Sequence, residues 1–340
     1  MLSRNAERIY WLGRYIERTE DTARLLNAFS HVMLDLPTSG KLGWDVLLKI
    51  MASEALFYEH YEVADEKSVF KFLLEDIRNP SSIRSAVRAA RENARTLRDR
   101  LPLEGWEMLN DLNLFIKKGI EDASRQRNRF QFLTDTITKC QCFNGMIRTT
   151  LSRNQTYEFL CMGAFIERAD MTTRTLDIAA DILLKRSDAD GVFDTHIWME
   201  ILKAQNAVMM YRTKNGPRST PRDVLRFLIG EGDFPRSIKH CINAMKGLAQ
   251  ALPENDAFNE STKRLLTKLD GFVEMDEIVP EKLRTFFDET QQGLNDAHSI
   301  IATTWFLSAE VPEVAVEAAA AENEAEAETK TQNQTQSETS

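Results

Sequence analysis

Two dipeptides have the residue types and setting for chemistry: Glu17-Arg18 and Glu167-Arg168, each within an Ile-Glu-Arg tripeptide. A carboxylate beside a guanidinium can form a strong ion pair, grip an anion, or act as a base with an anion clamp. Adjacent residues on a helix do not face each other, so neither dipeptide can pair internally. The helical contact positions of Glu167 hold Gly163, Ala164, Asp170 and Met171, and those of Arg168 hold Ala164, Phe165, Met171 and Thr172. Neither charge finds its opposite there, whereas Arg14 and Asp21 stand in reach in the first copy. Glu20–Arg24 and Asp170–Arg174 are ordinary i,i+4 pairs by spacing. Three readings of the Ile-Glu-Arg charges stand: a solvated face, a reciprocal pairing of Glu17 with Arg168 and Arg18 with Glu167, or a binding site.

A second set is cationic. Arg84, Arg88, Arg91, Arg95 and Arg98 recur at 4-3-4-3 spacing, one step from the apolar stripe Ile83, Val87, Ala90, Ala94 and Leu97. On one helix this makes a basic face, which Glu92 and Asp99 answer in part, at i+4 from Arg88 and Arg95. It reads either as a solvated flank or as an anion site for phosphate, carboxylate or an acidic surface. In Asp233-Phe234-Pro235-Arg236-Ser237 the proline and serine mark a helix start, and Arg236 could add to an anion site there.

Other chemistry has no footing in the sequence. There is no glycine-rich phosphate loop, no H-E-x-x-H and no G-x-S-x-G, and His31, His60, His196, His240 and His298 have no ligand spacing. No metal and no cofactor is expected. Without a self-sufficient catalytic set, the expectation leans away from an enzyme.

The elements that must carry these residues are helices. Ile9, Leu12, Ile16, Ala23, Leu26 and Met33 follow helical periodicity over residues 3–34. Further helices are predicted over 43–60 and 66–77, from a cap at Ser81 to Leu101, and twice within 103–150; no period-two alternation is found. The chain then begins again. GRYIERTEDTARLL (13–26) aligns with GAFIERADMTTRTL (163–176), WDVLLK (44–49) with WMEILK (198–203), and FLLEDIRNPSSIR (72–84) with FLIGEGDFPRSIK (227–239). Three segments in the same order predict an all-α helical bundle made by tandem duplication. Its units are residues 1–150 and 151–309, sharing one core, and a disordered acidic tail follows over 310–340.

The chain has 340 residues and a formal charge of −9, and its last 31 residues hold eight Glu and one Lys. The body is therefore near neutral, which argues against duplex nucleic acid as a partner. The charged first segment reads as no secretory signal, and no apolar run is long enough to span a membrane. Cys140, Cys142, Cys161 and Cys241 match no zinc or disulfide spacing, so reduced thiols and a cytoplasmic location are expected.

LSRNAERIYWLGRYIERTEDTAR, NPSSIRSAVRAARENARTLRDRL with the following WEMLN, FIERAD and FPRSI together resemble the bacterial alpha-E family over about residues 1–308. The resemblance implies a helical domain whose Glu-Arg motif falls on Glu17, Arg18, Glu167 and Arg168. It also implies an arginine-rich segment at Arg91, Glu92, Asn93 and Arg95, followed by Trp106 and Asn110. Ala164 departs from the pattern, standing where a second Gly-Arg like Gly13-Arg14 would be expected. The implied partner is a circularly permuted ATP-grasp protein. The expected role is a non-catalytic binding module of an ATP-grasp amide or peptide ligase system, engaging the enzyme, an anionic peptide or a phosphate. The alternatives are a cryptic enzyme, with Glu17 or Glu167 as base, and a structural scaffold.

Overall fold

Amphipathic stripes with few interruptions can bury their apolar sides only against one another, so the elements pack helix on helix. The computed structural model describes residues 1–35, 42–123, 126–184, 191–274 and 280–306. The expected tail at 310–340 lies outside them. The described residues form helices and no strand: α1 (Ser3–Asp35), α2 (Asp45–Ile50), α3 (Glu54–Tyr58), α4 (Glu66–Leu74), α5 (Ile83–Arg95), α6 (Leu103–Ala123), α7 (Gln126–Thr150), α8 (Gln155–Leu184), α9 (Gly191–Ala204), α10 (Val208–Asn215), α11 (Pro221–Gly230), α12 (Ile238–Ala249), α13 (Asp256–Val273) and α14 (Pro280–Trp305).

Three local expectations are corrected. The helix expected over 43–60 is broken into α2 and α3, because Ala52 takes a left-handed conformation with φ 48°. The cap of α5 is Ser82 rather than Ser81: the Ser82 Oγ accepts from the Ser85 N–H, while the Ser81 N–H donates to Asn79 Oδ1. The helix expected to reach Leu101 ends at Arg95, so Arg98 sits in the turns beyond it rather than on the helix.

α1 and α8 lie side by side at the centre. α5 and α7 flank α1, and α12 and α14 flank α8. One buried apolar cluster runs from Ala6 to Phe306, so both stretches share a core. Buried positions correspond along the chain: Ile83, Val87, Ala90 and Ala94 of α5 match Ile238, Ile242, Met245 and Ala249 of α12. Phe132, Cys140, Phe143 and Ile147 of α7 likewise match Phe286, Leu294, Ala297 and Ile301 of α14. Even the left-handed break recurs, at Asn206 with φ 50°.

The two central helices run in the same sense and meet at glycines. A Cβ built on Gly13 would lie 2.0 Å from the Leu160 carbonyl oxygen, and one built on Gly163 would lie 2.0 Å from that of Tyr10. Only a residue without a side chain allows backbones this close. That approach sets the distance at which the Ile-Glu-Arg motifs, one turn further on, face each other.

Candidate functional site

Glu17 and Arg18 of α1 meet Arg168 and Glu167 of α8. Arg168 donates from Nε to Glu17 Oε1 and from Nη2 to Oε2, both at 2.6 Å. Arg18 donates from Nε to Glu167 Oε1 at 2.6 Å and from Nη2 to Oε2 at 3.1 Å. Both pairs are thus two-point guanidinium–carboxylate contacts, the strong geometry for this chemistry. Of the three sequence readings, the structure makes the reciprocal one.

Each glutamate also has a second arginine, from a different source. Arg14, one turn before Arg18, donates from Nε to Glu167 Oε2 at 2.7 Å. The matching position on α8 is Ala164, and nothing from that helix can do the same for Glu17. Arg236 does so instead: its Nη2 lies 3.0 Å from Glu17 Oε1. Arg236 enters from the turn before α12, where the first half carries Ser81 at the aligned position. The second cation has moved from helix to loop, and each carboxylate keeps two.

Arg236 is therefore no part of an external anion site. It is 8% exposed. Its anions are the chain's own: Glu17, Glu20 with Nη1 at 3.5 Å, and Asp21, which pairs with Nη2. Nε also donates to Gln205 Oε1 at 3.3 Å. Arg168 spends its remaining nitrogen on the Pro235 carbonyl at 3.3 Å. The spaced pairs Glu20–Arg24 and Asp170–Arg174 are formed at 2.8 and 2.9 Å.

The electrostatics follow from burial against pairing. Burial pushes the Glu167 carboxyl up, but Arg18 and Arg14 outweigh it and hold it at about 2. Burial opposes ionisation of Glu17 as well, and Arg168 and Arg236 again prevail and lower it. Asp21 goes the other way. Burial pushes it well above the usual aspartate range against the pull of Arg236, with Glu17 and Glu20 adding repulsion. Its Oδ2 is buried without a hydrogen-bond partner among the described residues. Carboxylates fixed in the ionised form and saturated with donors hold geometry; they are poorly placed to shuttle protons.

The arginine stripe is not one site. Arg91 Nε donates to Asn110 Oδ1 at 2.7 Å, and Glu92 takes Arg91 at 2.8 Å and Arg95 at 2.9 Å. Glu92 thus answers Arg91 and Arg95 rather than Arg88, and Asp99 pairs with Arg100 at 3.1 Å rather than with Arg95. The Arg91 and Arg98 guanidinium carbons lie 5.4 and 4.0 Å from the Trp106 ring centroid. Asn93 Nδ2 donates to the Arg8 carbonyl at 3.2 Å, tying α5 to α1. Arg84 and Arg88 are exposed and form no ion pair among the described residues.

Sequence reasoning placed Arg14 and Asp21 only as neighbours on their own helix, and missed that Arg14 reaches Glu167, that Asp21 pairs with Arg236 and that Arg236 points inward. The exchange of Arg14 and Ser81 for Ala164 and Arg236 between aligned segments was the available signal. No three His, Cys, Asp or Glu residues among the described ones are grouped to hold a metal, and no described helix is long and apolar enough to cross a membrane. A family model described as "a predicted alpha-helical domain with a conserved ER motif" matches residues 1–306. No curated protein and no solved structure gives a match.

Proposed function

The chain belongs to the Alpha-E family, and on that premise we propose that it is a non-catalytic helical binding module of an ATP-grasp-type amide or peptide ligase system. In this reading the two Ile-Glu-Arg motifs join the halves of the bundle, which descend from a tandem duplication. The basic surface of α5 receives a carboxylate- or phosphate-bearing partner, either the circularly permuted ATP-grasp protein itself or its anionic peptide. The setting is the cytoplasm.

One observation carries the reading. Both motif glutamates are buried and doubly paired, so the motif offers no open carboxylate to a substrate. Arg84 and Arg88, in contrast, face outward without an internal counterion among the described residues. A cryptic enzyme using Glu17 or Glu167 as a base would need a carboxylate that gains and loses a proton near neutral pH, and the arginines act against that.

The test is capture of the ATP-grasp protein by the purified chain at low and high salt, with Arg84→Ala/Arg88→Ala alongside. Capture that weakens with salt and by about tenfold or more in the double variant supports the basic face. Capture unchanged by both discards it, and absence of capture discards the partnership.

A further inference from the structure

A small cavity lies between α1, α2, α8 and α9, and it sits where the two halves face each other. Its walls come in matched pairs: Leu25 with Thr175, Val46 with Glu200, and Leu47 with Ile201. The middle pair breaks the match, because an apolar residue in the first half is answered by a carboxylate in the second. WDVLLK and WMEILK align these two positions. Glu200 is 2% exposed in spite of its charge.

The two oxygens of Glu200 differ. Oε1 accepts from Lys203 Nζ at 2.5 Å, and the Lys203 side chain is 54% exposed. Oε2 is buried and has no hydrogen-bond partner among the described residues. An ionised carboxylate is an acceptor only, so Oε2 calls for a donor. The other polar group in the wall cannot supply it, since the Thr175 hydroxyl donates to the Met171 carbonyl at 2.7 Å. The cavity measures about 60 Å³. Water fits by size, but a buried water needs two to four polar partners, and these walls are otherwise aliphatic and aromatic.

The geometry points to a binding site for a short aliphatic primary ammonium: its hydrocarbon part lies against the apolar walls and its N–H groups donate to Glu200 Oε2. A carboxylate also meets the positive charge, so the site prefers an amine to an alcohol of the same shape. This inference is independent of the basic face of α5.

The experiment titrates the full chain, with isoleucine methyls isotopically labelled, with n-propylammonium, 1-propanol and propanoate. Ile50, Ile178, Ile197 and Ile201 line the cavity and report by NMR. Saturable shifts at these methyls are expected with propylammonium, with affinity about tenfold or more above that of 1-propanol. Glu200→Gln keeps the shape and should remove that preference. Glu200→Val copies the first half and should abolish the ammonium response in a chain that melts no lower than the parent. Equal affinity for amine and alcohol in the parent overturns the assignment whether or not the variants fold. So does an undiminished amine response in Glu200→Gln, or the absence of any saturable shift, which would leave water as the occupant.

Discussion

Glu17 and Arg168 form a two-point ion pair with both contacts at 2.6 Å, across two helices whose residues lie 151 apart in sequence. The pair is buried at both ends, Glu17 being 0% exposed and Arg168 6%. Such a pair contributes little net stability compared with a well-packed apolar pair, because both charges lose their hydration. Breaking it is another matter, since Glu17 then stays buried with only Arg236, which it shares with Glu20 and Asp21.

Arg168→Ala should therefore destabilise the chain by about 3–5 kcal/mol in urea unfolding. Arg18→Ala should cost less. Arg18 is 16% exposed at its side chain, and Arg14 remains on Glu167. Equal costs, or a loss below about 1 kcal/mol for Arg168→Ala, would mean the pair does not hold the helices together.

The glycine crossing gives a cleaner comparison. Gly13→Ala places a methyl against the Leu160 carbonyl and should destabilise by at least about 1–3 kcal/mol, as overpacking does. Gly145 lies inside α7 with nothing within 4 Å of its built Cβ. Gly145→Ala should stabilise by about 0.5–1 kcal/mol through helix propensity. Melting of the two variants side by side checks both signs; a neutral Gly13→Ala would show that the central helices can move apart freely.

Acid should act through Glu167. Its folded pKa of about 2 lies below its ordinary 4.5, so its contribution is complete above pH 4.5 and disappears as pH falls towards 2. Asp177 has the opposite sign. Burial, with Asp288 and Asp181 nearby, raises it from 3.8 to about 6, so the folded form holds its proton longer and loses stability as pH climbs from 3.8 past 6. Asp177→Asn should raise the unfolding midpoint at pH 7 and change little at pH 3. Glu167→Gln should flatten the acid limb between pH 4.5 and 2. Midpoints measured across pH 2–8 would expose either sign if reversed.

Much of this was legible because helices announce themselves locally. The stripe Ile9, Leu12, Ile16 and Leu26 is spaced for one face, and all four are buried. The i,i+4 partners Glu20–Arg24 and Asp170–Arg174 needed nothing beyond helical geometry. The reciprocal pairing of Glu17 and Glu167 with Arg168 and Arg18 stood among the three readings because the two Ile-Glu-Arg segments align and the charges of the second find no opposite on their own helix. Less legible was Arg236. Its surroundings in sequence read as a helix start, and nothing local says that its side chain turns inwards to Glu17 and Asp21. The five arginines at 4-3-4-3 spacing misled for a related reason. Spacing assumes a continuous helix, and α5 stops at Arg95, before Arg98.

The sequence alone determined that this chain is helical, where most of its apolar faces lie, and that two Ile-Glu-Arg motifs stand in aligned segments with a reciprocal pairing among their open readings. The first two follow from periodicity and short-range spacing, which depend only on residues within a few turns, and the third from aligning two short segments. The tertiary structure decided which arginines answer which glutamates, that Asp21 and Glu200 each keep a buried oxygen without a donor among the described residues, and that Arg84 and Arg88 remain outside. Those outcomes depend on how closely α1 and α8 approach at Gly13 and Gly163 and on which loops reach the crossing. Distance and desolvation between residues far apart in the chain set them, and neither quantity is written in local spacing.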